Sequence, residues 1–125
     1  MHTVLVVDDS QVDRRLVGGL LVRAADIQVV YAEHGIDALE RMELDVPDLV
    51  VTDIHMPEMN GLEFVEAAKK QYPMIPVVLM TAQGSEELAV EALKRGAASY
   101  VSKRRLGEDL VSTVLHVLDA LQVNR

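Results

Sequence analysis

Carboxylate, hydroxyl and ammonium groups stand at the ends of short apolar runs in this sequence. The first run ends in the pair Asp8-Asp9, the third ends in Asp53, the fourth ends in Thr81, and Lys103 follows the fifth. Carboxylates that lie within about 5 Å of one another repel by roughly 3 kcal/mol per pair at an effective dielectric constant of about 20. If the fold brings these groups together, the site therefore needs a cation in addition to Lys103.

The donor atoms favour magnesium as that cation. Asp8, Asp9 and Asp53 offer oxygen ligands, which suit a hard divalent ion, and magnesium keeps water positions that a phosphate can take. The chain has no Cys, and its four His residues form no metal-binding motif, which argues against zinc. Each acid taken alone has a simpler explanation, because Asp is common in turns and helix caps. Their coincidence at several strand ends is what predicts a site.

These groups meet only if the chain forms a parallel sheet. Five β-branched runs of strand length alternate with five segments of helical pattern, and the runs are almost continuously apolar, as is typical of strands covered on both faces. We therefore predict an α/β fold with right-handed crossovers and a ligand site at the carboxyl ends of the strands. The predicted strands are residues 3–8, 27–32, 48–53, 76–81 and 99–102.

Capping residues mark the helices between these strands. Ser10, Asn60 and Ser85 are suited to begin helices, and Gly96 is suited to end one. The predicted helices run from Ser10 to about Ala25, over 35–43, from Asn60 to 72, over 88–95 and over 107–122.

The first helix has two unusual features. Gly18 and Gly19 cost about 1 kcal/mol each relative to Ala inside a helix, so we expect close packing of a neighbouring helix or a partner there. Residues four apart also predict its buried face. That predicted face consists of Val12, Leu16, Leu20 and Ala24.

Length and composition limit the classes of function. A chain of 125 residues, half of them hydrophobic, fits one domain over 1–125. A formal charge of -8 and the near absence of aromatic residues argue against direct nucleic-acid binding. No apolar stretch approaches the roughly 20 residues of a membrane span, and the start does not look like a signal peptide. We therefore expect a cytoplasmic protein with no membrane contact.

Four ordered blocks resemble the receiver domain of two-component response regulators. The resemblance covers essentially the whole chain, and it implies a flavodoxin-like, doubly wound (βα)5 three-layer sandwich with strand order 2-1-3-4-5. It also implies a domain that accepts a phosphoryl group from a sensor histidine kinase or a histidine phosphotransfer protein, rather than a turnover enzyme. The blocks are Asp8-Asp9-Ser10, the segment DIHMPEMNG from Asp53 to Gly61, Met80-Thr81-Ala82, and the segment GAASYVSK from Gly96 to Lys103.

The resemblance assigns roles to matching positions. Asp53 corresponds to the phosphoacceptor, Asp9 to a direct magnesium ligand and Asp8 to a direct or water-mediated ligand. The backbone carbonyl of His55 completes the implied ligands. These roles agree with the chemistry, because a carboxylate attacks phosphorus well only when the charge on the phosphoryl oxygens is neutralised.

Three further positions correspond to a switch. The resemblance implies that Thr81 binds the phosphoryl group once it has formed, that Lys103 pairs with its oxygens and that Tyr100 swings inward behind Thr81. Signalling would then change the face made by the fourth helix, the fifth strand and the fifth helix. Val111 and Leu115 widen the apolar surface of the fifth helix, which indicates either packing under the fifth strand or a homodimer or partner-docking patch on that face.

One departure from the family pattern affects Lys103. Related domains usually have Pro after this Lys, often with a cis peptide, whereas here Arg104 follows. A cis bond before a residue other than Pro costs about 2.5 to 4 kcal/mol, so we predict a trans peptide or a different local fold.

Two other classes of function compete with a phosphoacceptor. A phosphatase of the haloacid dehalogenase type also places Asp, Thr and Lys at strand ends, but it usually has a second acid where this chain has His55. An interaction module that kept the fold without phosphorylation is the other alternative, and the complete set of polar residues argues against it.

Overall fold

The computed structural model describes residues 1–24 and 26–123, and it contains five strands that alternate with five α-helices. Residue 25, where we predicted the end of the first helix, lies outside the described residues. The strands are β1 (His2–Val7), β2 (Ile27–Ala32), β3 (Leu49–Asp53), β4 (Val77–Thr81) and β5 (Ser99–Ser102). The helices are α1 (Gln11–Ala24), α2 (Gly35–Leu44), α3 (Gly61–Gln71), α4 (Glu86–Lys94) and α5 (Leu106–Val123), and a short 3₁₀ helix (Lys103–Arg105) precedes α5.

The five strands form one parallel sheet in the order β2-β1-β3-β4-β5. All residues of β3 and β4 are buried, because helices cover both faces of the sheet. One core, which includes Leu21, Met80 and Leu110, lies between the sheet and α1 and α5, and a second core, which includes Phe64, lies on the opposite face. The predicted flavodoxin-like architecture is confirmed, and parallel pairing brings the ends of β1, β3, β4 and β5 to one edge.

The buried face of α1 differs from the prediction. Val12 is 76% exposed and Leu16 is 51% exposed, whereas Val17 and Leu21 are fully buried. Both pairs have the spacing of residues on one helix face, so periodicity alone did not distinguish them. Contact with β1, β2 and α5 selects the face that carries Val17 and Leu21.

Gly18 lies on this buried face and contacts β2 rather than a neighbouring helix. A Cβ atom at Gly18 would overlap the hydroxyl of Tyr31, and two ring atoms of Tyr31 would lie within 2.9 Å of it. A Cβ atom at Gly19 would instead meet only the guanidinium of Arg23, at 3.6 Å. Close packing therefore explains Gly18, and nothing in the described structure requires Gly19.

We predict different effects of alanine at these two adjacent positions. Gly19→Ala should raise the free energy of unfolding by about 0.5 to 1 kcal/mol, because Ala has the higher helix propensity. Gly18→Ala should give a smaller gain or none, because its Cβ atom must displace the exposed Tyr31 ring. Urea denaturation of both variants tests this prediction, and equal stability of the two would show that the Tyr31 contact imposes no constraint.

The structure confirms two of the predicted capping residues, Asn60 and Gly96, and differs from the prediction at a third, Ser85. Asn60 forms a complete capping box with Glu63 at the start of α3, and Gly96 follows α4 with a φ of +116°, a conformation that glycine adopts readily. Ser85 precedes α4 as predicted, but its side chain makes no capping hydrogen bond. None of the described helices is long and apolar enough to cross a membrane.

Candidate functional site

Three carboxylates converge where β1 and β3 end. One oxygen each from Asp8, Asp9 and Asp53 lies within 4.8 Å of the others. Asp8 and Asp53 are buried, at 0% and 6% exposure, whereas Asp9 is exposed. Asp8 and Asp9 follow β1, and Asp53 is the last residue of the adjacent strand β3, so the register of the parallel sheet places them side by side.

Hydrogen bonds occupy both side-chain oxygens of Asp8. Oδ1 accepts from the backbone N–H of Ser10 at 2.9 Å, and Oδ2 accepts from Nζ of Lys103 at 3.1 Å. Its backbone carbonyl accepts from the guanidinium of Arg14 at 2.6 Å. Burial raises the pKa of Asp8, the bonds from Ser10 and Lys103 oppose that rise, and the charge of Asp53 adds to it.

Lys103 supplies the cation that faces this cluster. Its Nζ lies 3.0 Å from Asp13, 3.1 Å from Asp8 and 3.4 Å from Asp53. Burial by itself lowers the pKa of Lys103, but the hydrogen bond to Asp13 and the charges of Asp53 and Asp8 raise the pKa overall. Lys103 is therefore a charged ammonium held among the carboxylates of Asp8, Asp13 and Asp53.

The backbone at Lys103 follows the prediction made from the missing proline. No peptide bond within the described ranges is cis, so the Lys103–Arg104 bond is trans. Lys103 begins the short 3₁₀ helix, and the hydroxyl of Ser102 caps that helix by accepting from the N–H of Arg104 at 3.2 Å. This local turn directs the chain into α5 without a proline.

The loop after β3 is held against the strand end. The N–H of Gly61 donates to the carbonyl of Ile54 at 2.7 Å, and a Cβ atom at Gly61 would lie 2.7 Å from Cα of Ile54. His55 lies within this loop, and its backbone N–H donates to Asp53 Oδ1 at 3.4 Å. The exposed His55 side chain places Nε2 2.8 Å from the buried hydroxyl of Ser85, which makes no capping hydrogen bond to α4.

Thr81 and Tyr100 lie on the adjacent strands β4 and β5. Thr81 is buried, and its hydroxyl is 3.5 Å from the backbone carbonyl of Val101, at the long limit for a hydrogen bond. Tyr100 is 43% exposed, so its ring points away from the core in this structure. Among the described residues, no strong hydrogen bond holds the Thr81 hydroxyl or the Tyr100 hydroxyl in place.

The donor set at the carboxylate cluster fits a hard divalent cation. All three side chains offer oxygen, and Lys103 balances only part of their charge. Asp9 is the most available of the three acids for a cation, because none of the described side chains or backbone groups donates a hydrogen bond to its carboxylate. The arrangement could hold a metal ion beside Asp53.

Most of the chain matches a known protein family and known individual proteins. Residues 4–115 match the response regulator receiver domain family. The chain belongs to this family. Receiver domains are signalling domains that interact with histidine kinases or phosphotransfer proteins and generally bind magnesium in an acidic pocket. Membership in the family decides against the haloacid dehalogenase alternative.

Individual relatives support the same assignment over different lengths. A chemotaxis protein CheY homolog from Campylobacter jejuni is 38% identical over 80% of this receiver domain chain and 79% of its own length. The hybrid signal transduction histidine kinase D of Dictyostelium discoideum is 37% identical over 92% of this chain, which spans only 7% of that kinase. The crystal structure of the receiver domain of NtrX from Brucella abortus matches with a TM-score of 0.88 and 32% identity, over 93% of this chain and 98% of its own.

Two polar residues of the receiver domain were missed by sequence reasoning. Asp13 contacts Lys103, and Arg14 contacts the carbonyl of Asp8. Both lie in the first turn of α1, which follows β1 at the same edge of the sheet. That position was the available signal, because the first turn of each crossover helix adjoins the carboxyl ends of the strands.

The structure supports the interpretation that the wider apolar face of α5 packs against the core. Val111 and Leu115 are partly buried and pack against the core on the α1 and α5 side of the sheet. Among the side chains that the structure describes, the large exposed apolar residues of α4, β5 and α5 are instead on α4 and β5. They are Leu88, Val90, Leu93 and Tyr100.

Proposed function

We propose that Asp53 accepts a phosphoryl group from a phosphohistidine of a sensor histidine kinase or a histidine phosphotransfer protein. A carboxylate oxygen of Asp53 forms a bond to phosphorus as the bond from phosphorus to the histidine nitrogen breaks. The electron pair of that bond leaves with the imidazole, and an aspartyl phosphate remains. The observation that supports this proposal most strongly is the ammonium of Lys103 beside the buried carboxylate of Asp53, within the acidic cluster.

Charge neutralisation is the main task of the surrounding residues. Lys103 can pair with the phosphoryl oxygens, and Thr81 can turn its hydroxyl from the carbonyl of Val101 toward them. Asp8, Asp9 and Asp53, with the backbone carbonyl of His55, are proposed to hold magnesium. Bound magnesium supplies further positive charge at the oxygens of the transferred group.

We propose that the phosphoryl group is also lost by hydrolysis at the same site. Water can attack the phosphorus of the aspartyl phosphate and regenerate Asp53 and inorganic phosphate. We therefore propose a phosphoacceptor domain with only magnesium-assisted self-phosphorylation and self-dephosphorylation, rather than a turnover enzyme.

The signal is proposed to spread through Thr81 and Tyr100. A phosphoryl group stabilises only the conformation with which it makes additional contacts, and a hydrogen bond from Thr81 is such a contact. Movement of Thr81 toward Asp53 leaves space into which the exposed ring of Tyr100 can turn. The face formed by α4, β5 and α5 would then present its apolar residues to an output partner or to a second copy in a homodimer.

The remaining proposals concern the chain as a whole. Residues 1–125 are proposed to form one receiver domain that acts in the cytoplasm through protein partners. Its charge of -8 favours contact with proteins over direct contact with nucleic acids or anionic membranes.

The experiment that tests this function follows phosphoryl uptake by intact mass. The protein is incubated with acetyl phosphate and magnesium, and a parallel sample contains EDTA. We expect the mass of one phosphoryl group to be added in the presence of magnesium only. Absence of uptake with magnesium would favour the interaction module that does not use phosphorylation, and equal uptake in EDTA would contradict the role of the cation.

We predict that Asp9 contributes more to magnesium binding than Asp8. Both oxygens of Asp8 already accept hydrogen bonds, whereas the carboxylate of Asp9 is exposed and available. Magnesium usually takes only one or two protein carboxylates and retains several waters. In calorimetric titrations, Asp9→Ala should therefore weaken magnesium binding by at least about tenfold, and Asp8→Ala should weaken it less. Equal losses in the two variants would contradict this division of roles.

A further inference from the structure

The ammonium of Lys103 contacts Asp13 in addition to Asp8 and Asp53, although Asp13 has no direct part in the proposed phosphoryl transfer. An ammonium has three N–H donors. Two of them form hydrogen bonds, to Asp13 at 3.0 Å and to Asp8 at 3.1 Å, and Asp53 lies slightly farther away at 3.4 Å. This arrangement uses two donors to hold the ammonium and leaves the third for the phosphoacceptor.

Asp13 is well placed to hold a flexible side chain. A lysine side chain has high rotamer entropy, so fixed partners are needed to keep its ammonium in one position. The backbone N–H of Asp13 donates to the hydroxyl of Ser10 at 3.2 Å, and Val17 and Leu21 anchor α1 in the core. The carboxylate of Asp13 therefore approaches Lys103 from a rigid element.

Asp13 also differs from Asp8 in its relation to the metal cluster. Asp8 belongs to the three acids that could hold a cation, so its carboxylate is subject to competition between that cation and Lys103. Asp13 is not a member of that group within the part of the chain that the structure describes. Its contact with Lys103 can therefore persist when a cation binds.

We infer that Asp13 is a positioning residue for phosphoryl transfer, which holds the ammonium of Lys103 so that one N–H faces the phosphoryl group on Asp53. This inference rests on the proposed phosphoacceptor function and deepens it. Asp13 acts through Lys103 and touches neither the phosphoryl group nor the cation.

The test compares two substitutions that remove the same charge from different helices. Asp13→Asn keeps the size of the side chain, and Asp119→Asn makes the same change on α5, where Asp119 is exposed. Phosphoryl uptake from acetyl phosphate is followed by intact mass at saturating magnesium. We expect Asp13→Asn to slow uptake about five- to tenfold, less than the loss of a group that binds the transition state directly. Asp119→Asn should retain the wild-type rate.

Three additional measurements separate positioning from a general structural role. Magnesium affinity, measured by calorimetry, should be the same for Asp13→Asn and wild type. Asp13→Glu, which keeps the charge, should recover most of the lost rate. In a Lys103→Ala background, Asp13→Asn should cause no further loss, because its effect passes through the lysine.

The outcomes distinguish this inference from the function on which it rests. If wild type takes up no phosphoryl group, both the function and the inference fail. If wild type is phosphorylated but Asp13→Asn and Asp119→Asn react equally fast, only the inference fails. It also fails if Asp13→Asn slows uptake to the same extent in the Lys103→Ala background.

Discussion

Asp53→Asn should take up no phosphoryl group from acetyl phosphate and magnesium under conditions in which wild type is fully modified. A carboxamide has the size of the carboxylate but is far less nucleophilic, and it carries no negative charge. Asp53 is buried at the end of β3, so a substitution of equal size preserves the packing around it. Intact mass spectrometry should therefore find only unmodified protein.

The matched control for this substitution is again Asp119→Asn. It removes one carboxylate from an exposed position on α5, and Asp119 is distant in sequence from the three acids of the cluster. We expect it to be modified like wild type. Uptake of one phosphoryl group by Asp53→Asn would show that another residue is the acceptor.

Lys103→Met should slow phosphoryl uptake by about 10² to 10³-fold. Methionine keeps most of the side-chain length but removes the ammonium that lies near Asp8, Asp13 and Asp53. Loss of one donor aimed at the charge of a transition state has an effect of this size in enzymes. Rates of uptake at saturating magnesium, measured by quenched time points and intact mass, test the prediction.

Lys103→Arg provides the matched comparison, because it keeps the positive charge. Its planar guanidinium differs in shape from an ammonium, so we expect a rate between those of wild type and Lys103→Met. If Lys103→Met reacts as fast as wild type, the ammonium has no part in the transfer. Magnesium affinity of all three proteins should be compared, since Asp8 contacts Lys103 and is also one of the acids proposed to hold magnesium.

The convergence of the main site residues was predictable because it follows from the sheet. Asp8, Asp9, Asp53 and Lys103 belong to the ends of parallel strands, and parallel strands deliver their carboxyl ends to one edge. The trans peptide after Lys103 was also predictable, because it depends on the local cost of a cis bond without proline. These conclusions need only strand order or local geometry.

Other features depended on how particular elements pack. Asp13 reaches Lys103 across 90 positions in the sequence, and that contact requires the relative placement of α1 and the end of β5. The buried face of α1 was predicted incorrectly, because the spacing of Val12 and Leu16 is the same as that of Val17 and Leu21. The pairing of Ser85 with His55 was not predicted either, because a serine before a helix is ordinarily its cap.

The most direct test of the central claim identifies the residue that carries the phosphoryl group. Phosphorylated protein is reduced with borohydride, which converts an aspartyl phosphate to homoserine, and its peptides are then sequenced by tandem mass spectrometry. The proposed function predicts homoserine at position 53 in magnesium-treated wild type and at no other position. Homoserine at Asp8, Asp9 or Asp13, or none in a protein that has gained a phosphoryl group, would contradict it.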